Sequence, residues 1–268
     1  MAASEQASLH IAESFVSSAD TVTASVGECE GRAGTAEKEE PVRHRPFTVV
    51  RRTHTRALTA LVALAGVALW PSVAQAATVA SWPLASDAKD TSGGHHNGVA
   101  QNVVFDGSAL FSGSGGRITV PFSTALSPGA ATVTATVEIN TTTAPGTGTN
   151  DFDLMRASPT GKMYKVELFP RNHLAQAQCV FIGTATRTTL HAGPGLNDGK
   201  WHQITCRKTS HQVTLTVDHV VVGTTNITIG SITLKQNAIF ALGYKPVSGQ
   251  PDQDRYKGRM RNASVSIG

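Results

Sequence analysis

The sequence predicts an all-β fold of two antiparallel sheets, a sandwich or jelly roll, and three observations carry that reading. Short runs rich in Val, Ile, Thr and aromatic residues follow one another at close spacing after residue 76. Within them apolar and polar residues alternate with the period of two that marks a strand with one buried face. Gly, Pro, Asn and Asp punctuate the gaps, and nothing between Ala77 and Gly268 reads as a helix of any length. The stretch shows no internal repeat and no linker. It therefore reads as one domain of 192 residues, ample for a sizeable core.

The expected strands run in order as Thr78–Trp82, Asn102–Phe105, Ala109–Phe111, Arg117–Val120, Ala131–Asn140, Phe152–Ala157, Tyr164–Phe169, Leu174–Ile182 and Thr186–His191. A three-stranded meander follows, and it is the clearest part of the chain. Asn197-Asp198-Gly199 forms a polar turn, Trp201–Lys208 a strand, and Gln212–Val217 a second strand in which Val213, Leu215 and Val217 alternate with Gln212, Thr214 and Thr216. Trp201 is expected to anchor the meander as a large apolar residue. Asp218-His219 then stands where a two-residue hairpin turn requires positive φ, before a third strand. Ser231–Lys235, Ala238–Leu242 and Arg255–Ile267 complete the set.

The N-terminal third belongs to a different class. Arg51, Arg52 and Arg56 precede a 14-residue apolar run, Ala57 to Trp70, then Pro71 and the small-residue site Ala74-Gln75-Ala76. This order is that of a secretory signal peptide at 49–76, and the run is short of the ~20 residues that cross a bilayer. Residues 1–48 carry eight acidic and four basic residues without apolar periodicity. They read as a disordered leader or a start assigned too far upstream. Cleavage after Ala76 leaves 16 basic and 11 acidic residues, a net charge of +5 with no like-charge block that would mark a nucleic-acid arm. It also removes Cys29. The remaining even pair, Cys179 and Cys206, reads in an exported protein as a disulfide stapling two neighbouring strands.

Five stretches, in order, resemble the laminin-G-like modules of the concanavalin A-like lectin/glucanase superfamily: SWPLASDAKDTSGGHHNG, ALFSGSGGRITVP, DGKWHQITC, LTVDHVVVG and IFALGYKPVSGQPDQDRYKGRMRNASV. The resemblance covers nearly all of 77–268. It implies a concanavalin A-like jelly roll whose work is either recognition or glycan chemistry. Several relatives bind a structural calcium ion through the D-x-S-G loop and an acidic residue on the closing strand. Asp90 matches the first position, whereas Met260-Arg261-Asn262-Ala263 stands at the second.

The superfamily's enzymes carry an E-x-D-x-x-E cluster on one strand, and no such cluster is present. The nearest approach, Asp151-Phe152-Asp153, is expected to be the solvated start of a strand, with Asp252 and Asp254 solvated in a later loop. No G-x-S-x-G elbow occurs. His95-His96 and His202 read as structural histidines. The chain is thus expected to be a non-catalytic module of bacterial export type that binds carbohydrate or an anionic polysaccharide, not nucleic acid; a divergent hydrolase or lyase and a protein-binding module are the alternatives. Contacts are expected from the loops Thr141–Asn150 and Gly243–Asp254, where Tyr244 is the aromatic that could stack on a sugar or pack under its own loop. Along the last strand Arg255, Lys257, Arg259 and Arg261 alternate with Tyr256, Gly258 and Met260. This puts the cations on one face as a binding stripe or a solvated surface, with Tyr256 and Met260 inward. The apolar parity shifts at Ala263, which implies a bulge near Arg261-Asn262.

Overall fold

The computed structural model describes residues 76–146, 151–246 and 254–268. The expected leader and signal peptide, except for Ala76, lie outside the described residues, as do residues 147–150 and 247–253 of the two candidate loops, Asp252 among them. Among the described residues no helix is long and apolar enough to cross a membrane.

The fold is a two-sheet antiparallel jelly roll. The eight-stranded sheet runs β13 (Val220–Asn226), β12 (Gln212–Val217), β11 (Trp201–Lys208), β6 (Val133–Asn140), β15 (Lys257–Ile267), β4 (Ala109–Ser112) and β3 (Val103–Phe105). Here β15 is long enough to pair β4 with its first half and β1 (Ala77–Trp82) with its second. The seven-stranded sheet runs β10 (Arg187–Gly195), β9 (Leu174–Ile182), β8 (Met163–Arg171), β7 (Phe152–Ala157), β14 (Phe240–Leu242), β5 (Arg117–Val120) and β2 (Val99–Gln101). The core between them is filled from alternate positions, such as Val133, Ala135, Val137 and Ile139 of β6 and Tyr164, Val166 and Leu168 of β8. Trp82 from one sheet stacks on Phe240 of the other at 5.2 Å between centroids.

Three expectations change. The strand expected at Asn102–Phe105 is β3 and begins one residue later, at Val103, because Asn102 takes φ +51° and turns the chain from β2 in one sheet to β3 in the other. Ser231–Lys235 has the right alternation, with Ile232 and Leu234 buried, but no neighbouring strand. Its backbone bonds instead to the loop before β6, through Ile232 with Gly129 and Leu234 N–H to Ser127 Oγ. Finally, Cys179 and Cys206 are bonded, yet not on neighbouring strands. β9 and β11 lie in different sheets, so the bond clamps the sandwich across its core. Both side chains point into the core, and two inward cysteines on different sheets face each other.

Candidate functional site

At the eight-stranded sheet, parity decides what faces solvent. Ile204 and Cys206 of β11 enter the core, so Trp201, Gln203, Thr205 and Arg207 face out; on β15, Met260 enters and Lys257, Arg259 and Arg261 face out. Pairing then aligns Val104, Leu110, Arg259, Asn140 and Trp201 in one cross-strand row over five strands. At ~4.8 Å per strand the row spans roughly 19 Å. Trp201 is therefore half-buried on this outer face and not the core anchor that its size suggested. Its parity with Gln203, Thr205 and Arg207 was the available signal.

The expected bulge lies where the parity predicts it. The register of β15 against β6 shifts between Arg261 and Ser264, and Asn262 adopts φ +50°. Tyr256 and Met260 are buried. The cations of the stripe differ in what they touch. Arg261 donates to Glu138 Oε2 at 2.7 Å and lies 4.1 Å above the Trp201 ring. Although burial opposes it, Asn262 and Arg261 hold the Glu138 carboxyl below its ordinary range. Arg259 donates to Ser108 Oγ at 3.0 Å and to the Asp106 carbonyl at 3.3 Å. Lys257 is exposed and has no ion-pair partner among the described residues. Arg255 lies ahead of the strand and is half-buried. Lys257 and Arg259 flank a groove of about 300 Å³ that Leu110, Asn140 and Thr141–Thr143 also line. The first residues of the candidate loop after β6 therefore do reach this face.

The outer face of the seven-stranded sheet corrects the reading of the acidic pair. Asp153 and Glu167 are cross-strand neighbours on β7 and β8, and both are buried, as is Gln178 next to Glu167 on β9. Asp153 accepts from Arg156 at 2.8 Å, while Gln178 donates to Glu167 Oε1. Asp254 is not solvated either. Lys245 lies 2.9 Å away, and burial with the charges of Asp151 and Asp153 raises the Asp254 carboxyl to about 6 against the pull of Lys245. By donor type Asp151, Asp153 and Glu167 could hold a metal ion, their oxygens lying within 4.8 Å of one another. Pairwise sequence spacing could not reveal this, because Glu167 joins the two aspartates only through strand register.

Two other candidates resolve into structural roles. Tyr244 is 3% exposed, and its hydroxyl lies 2.7 Å from Thr119 Oγ1, so its ring is not a stacking platform. Asp90 accepts at one oxygen from Ser81 and Ser92 N–H and at the other from His96 N–H, all at 2.9 Å, with His96 Nδ1 at 3.2 Å. Both oxygens thus accept hydrogen bonds from the loop itself, which makes Asp90 the acceptor that organises this turn. His96 is the hydrogen-bonded loop histidine expected, its Nε2 reaching Ser123 Oγ at 2.9 Å. His202 bridges Asp198 and Asp218 at 2.9 and 2.8 Å, closing the turn before β11 onto the hairpin, where Asp218 and His219 take φ +49° and +66°.

Residues 162–267 match the family description "Laminin G domain". The matched stretch runs from β8 to β15, so this part of the jelly roll is similar to a laminin G domain. A comparison with curated protein sequences gives no match. Among solved structures, the chain is similar to domain 4 of AbnA, a GH43 extracellular arabinanase from Geobacillus stearothermophilus in complex with arabinotriose. The identity is 13%, the TM-score 0.51, and the likeness covers 72% of this chain and 93% of that one. It is also similar to the botulinum neurotoxin serotype G binding domain (12%, TM-score 0.52, 70% and 47%) and the binding domain of Paraclostridial Mosquitocidal Protein 1 (13%, TM-score 0.51, 71% and 47%). The chain spans about half the length of the two toxin domains. At these identities the likeness is one of fold.

Proposed function

We propose that the chain is an exported, non-catalytic recognition module that binds an acidic polysaccharide on the outer face of its eight-stranded sheet. One observation carries the reading: Lys257, exposed and without an ion-pair partner among the described residues, and half-buried Arg259 flank a groove that also offers Leu110, Asn140 and three threonines. Cations supply attraction for carboxylate, sulfate or phosphate groups on a polymer, hydroxyl and amide groups supply hydrogen bonds, and the apolar patch of Val104 and Leu110 suits the faces of sugar rings. Arabinotriose in the arabinanase domain is consistent with a sugar ligand on a sandwich of this kind. Export rests on the signal-like sequence at 49–76, with Ala77–Gly268 as the mature domain, and on a buried disulfide that an oxidising compartment would preserve.

The hydrolase or lyase alternative would have to use Asp153 and Glu167. Both are fully or almost fully buried and engaged by Arg156, Lys165 or Gln178, so neither is presented to a polymer. A glycan array of neutral and acidic polysaccharides, run with and without calcium, tests the proposal. Binding confined to acidic glycans supports it. No glycan binding at all would favour a protein-binding module.

A further inference from the structure

A lysine stands at the centre of the acidic cluster on the seven-stranded sheet. Lys165 Nζ lies 3.3 Å from Asp151 Oδ2, 3.3 Å from Asp153 Oδ1, and in contact with Glu167 Oε2. These are the three carboxylates whose oxygens converge as a set of hard ligands. The arrangement is a product of the register. Lys165 and Glu167 share a face two residues apart on β8, while β7 places Asp153 opposite Glu167 and Arg156 opposite Lys165. Set against the Arg156 guanidinium, with the neighbouring Asp254 already paired to Lys245, the three carboxylates as anions keep a charge of two negatives. That is the charge a divalent cation would cancel, and Lys165 halves it from within the chain.

We infer that Lys165 is the built-in cation of this cluster, standing where a divalent ion would otherwise be held, and that the domain therefore folds without drawing calcium into it. A tethered ammonium is already in position when the strands pair, whereas an ion must be captured from solution. A calcium ion entering the same set of oxygens would lie within a few ångströms of the ammonium, where like charges in a buried site repel strongly. It could bind only by expelling Lys165, whose side chain is 10% exposed, from the carboxylates that surround it. The inference does not depend on where the polysaccharide sits.

Thermal unfolding of the purified protein in millimolar calcium and in chelator tests it directly, alongside Lys165→Ala. The wild type should show the same Tm in both buffers. Lys165→Ala leaves buried carboxylates uncompensated and should lose on the order of 10 °C in chelator. Calcium should restore much of that loss, because the variant opens the ligand set to an ion. A calcium-dependent rise in the wild-type Tm overturns the inference, and so does a Lys165→Ala variant that is destabilised yet indifferent to calcium. Should Lys165→Ala not fold in either buffer, the wild-type comparison still decides, and Lys165→Arg, which keeps a cation, should fold and ignore calcium.

Discussion

Breaking the Cys179–Cys206 bond should loosen the sandwich by an amount the structure allows one to work out. The bond joins residues 27 apart in sequence and links β9 to β11 across the core. In the chain-entropy account, closing a loop of that size stabilises the fold by about 3.5 kcal/mol. For a domain of this size each kcal/mol is worth ~2–4 °C, so reduction should lower Tm by roughly 7–14 °C. Two ways of breaking the bond separate entropy from packing. Reduction of the wild type removes the link and keeps both sulfur atoms in place. Cys179→Ala/Cys206→Ala also removes their volume from positions that are fully buried, which should cost about 1 kcal/mol more for each. Calorimetry with and without reductant, with thiol titration to confirm the redox state, makes the comparison. A reduced protein, verified by its thiols, that melts within a degree or two of the oxidised one would refute the clamp. Equal Tm values for the reduced wild type and the double variant would refute the packing contribution.

Further outcomes follow from the carboxylates and from His202. Burial, with Asp151 and Asp153 nearby, raises the Asp254 carboxyl from 3.8 to about 6, so the native state holds this proton more tightly than the unfolded chain. Stability should therefore fall as pH rises from about 4 to about 6, and Asp254→Asn should gain roughly 1 kcal/mol above that window, screening at a half-buried site having been allowed for. Burial works against protonation of His202, but Asp218 and Asp198 outweigh it and raise the imidazole above 6.5. The clasp should thus contribute fully below pH 6.5 and fade as pH rises through the higher native value, and His202→Gln should flatten that part of the Tm–pH curve. Asp90→Ala should cost about 2–4 kcal/mol by chemical denaturation, because three backbone N–H groups lose their acceptor at a fully buried carboxylate. An effect no larger than that of a surface substitution would contradict the role given to Asp90.

Much of this fold is legible in the sequence because strands write their parity into composition. Leu174–Ile182, Trp201–Lys208 and Gln212–Val217 can be bounded to the residue, and the bulge near Arg261-Asn262 follows from the parity change between Met260 and Ala263. What alternation does not carry is sheet membership. It gives Cys179 and Cys206 their inward direction without saying that their strands lie in different sheets. Equally, it marks Ile232 and Leu234 as buried without saying that no strand lies beside them. The acidic cluster was opaque for the same reason, since Asp153, Lys165 and Glu167 meet through register alone. Trp201 was misread by weighing its size above its parity. Tyr244 shows the reverse hazard: a loop aromatic whose hydroxyl has a partner can be as buried as one in a strand.

The central claim, that an acidic polymer is held beside β15, is tested most directly by reversing its cations. Lys257→Glu/Arg259→Glu places two negative charges beside the groove and removes nothing from the core, because both side chains point outward. Wild type and variant are run on an anionic polysaccharide column over a salt gradient, with Tm measured in parallel. The account predicts a wild type that elutes only as salt rises, because exposed charges are screened beyond ~8 Å at physiological ionic strength, and a variant that is not retained despite an unchanged Tm. A double variant that elutes at the wild-type salt concentration would contradict it.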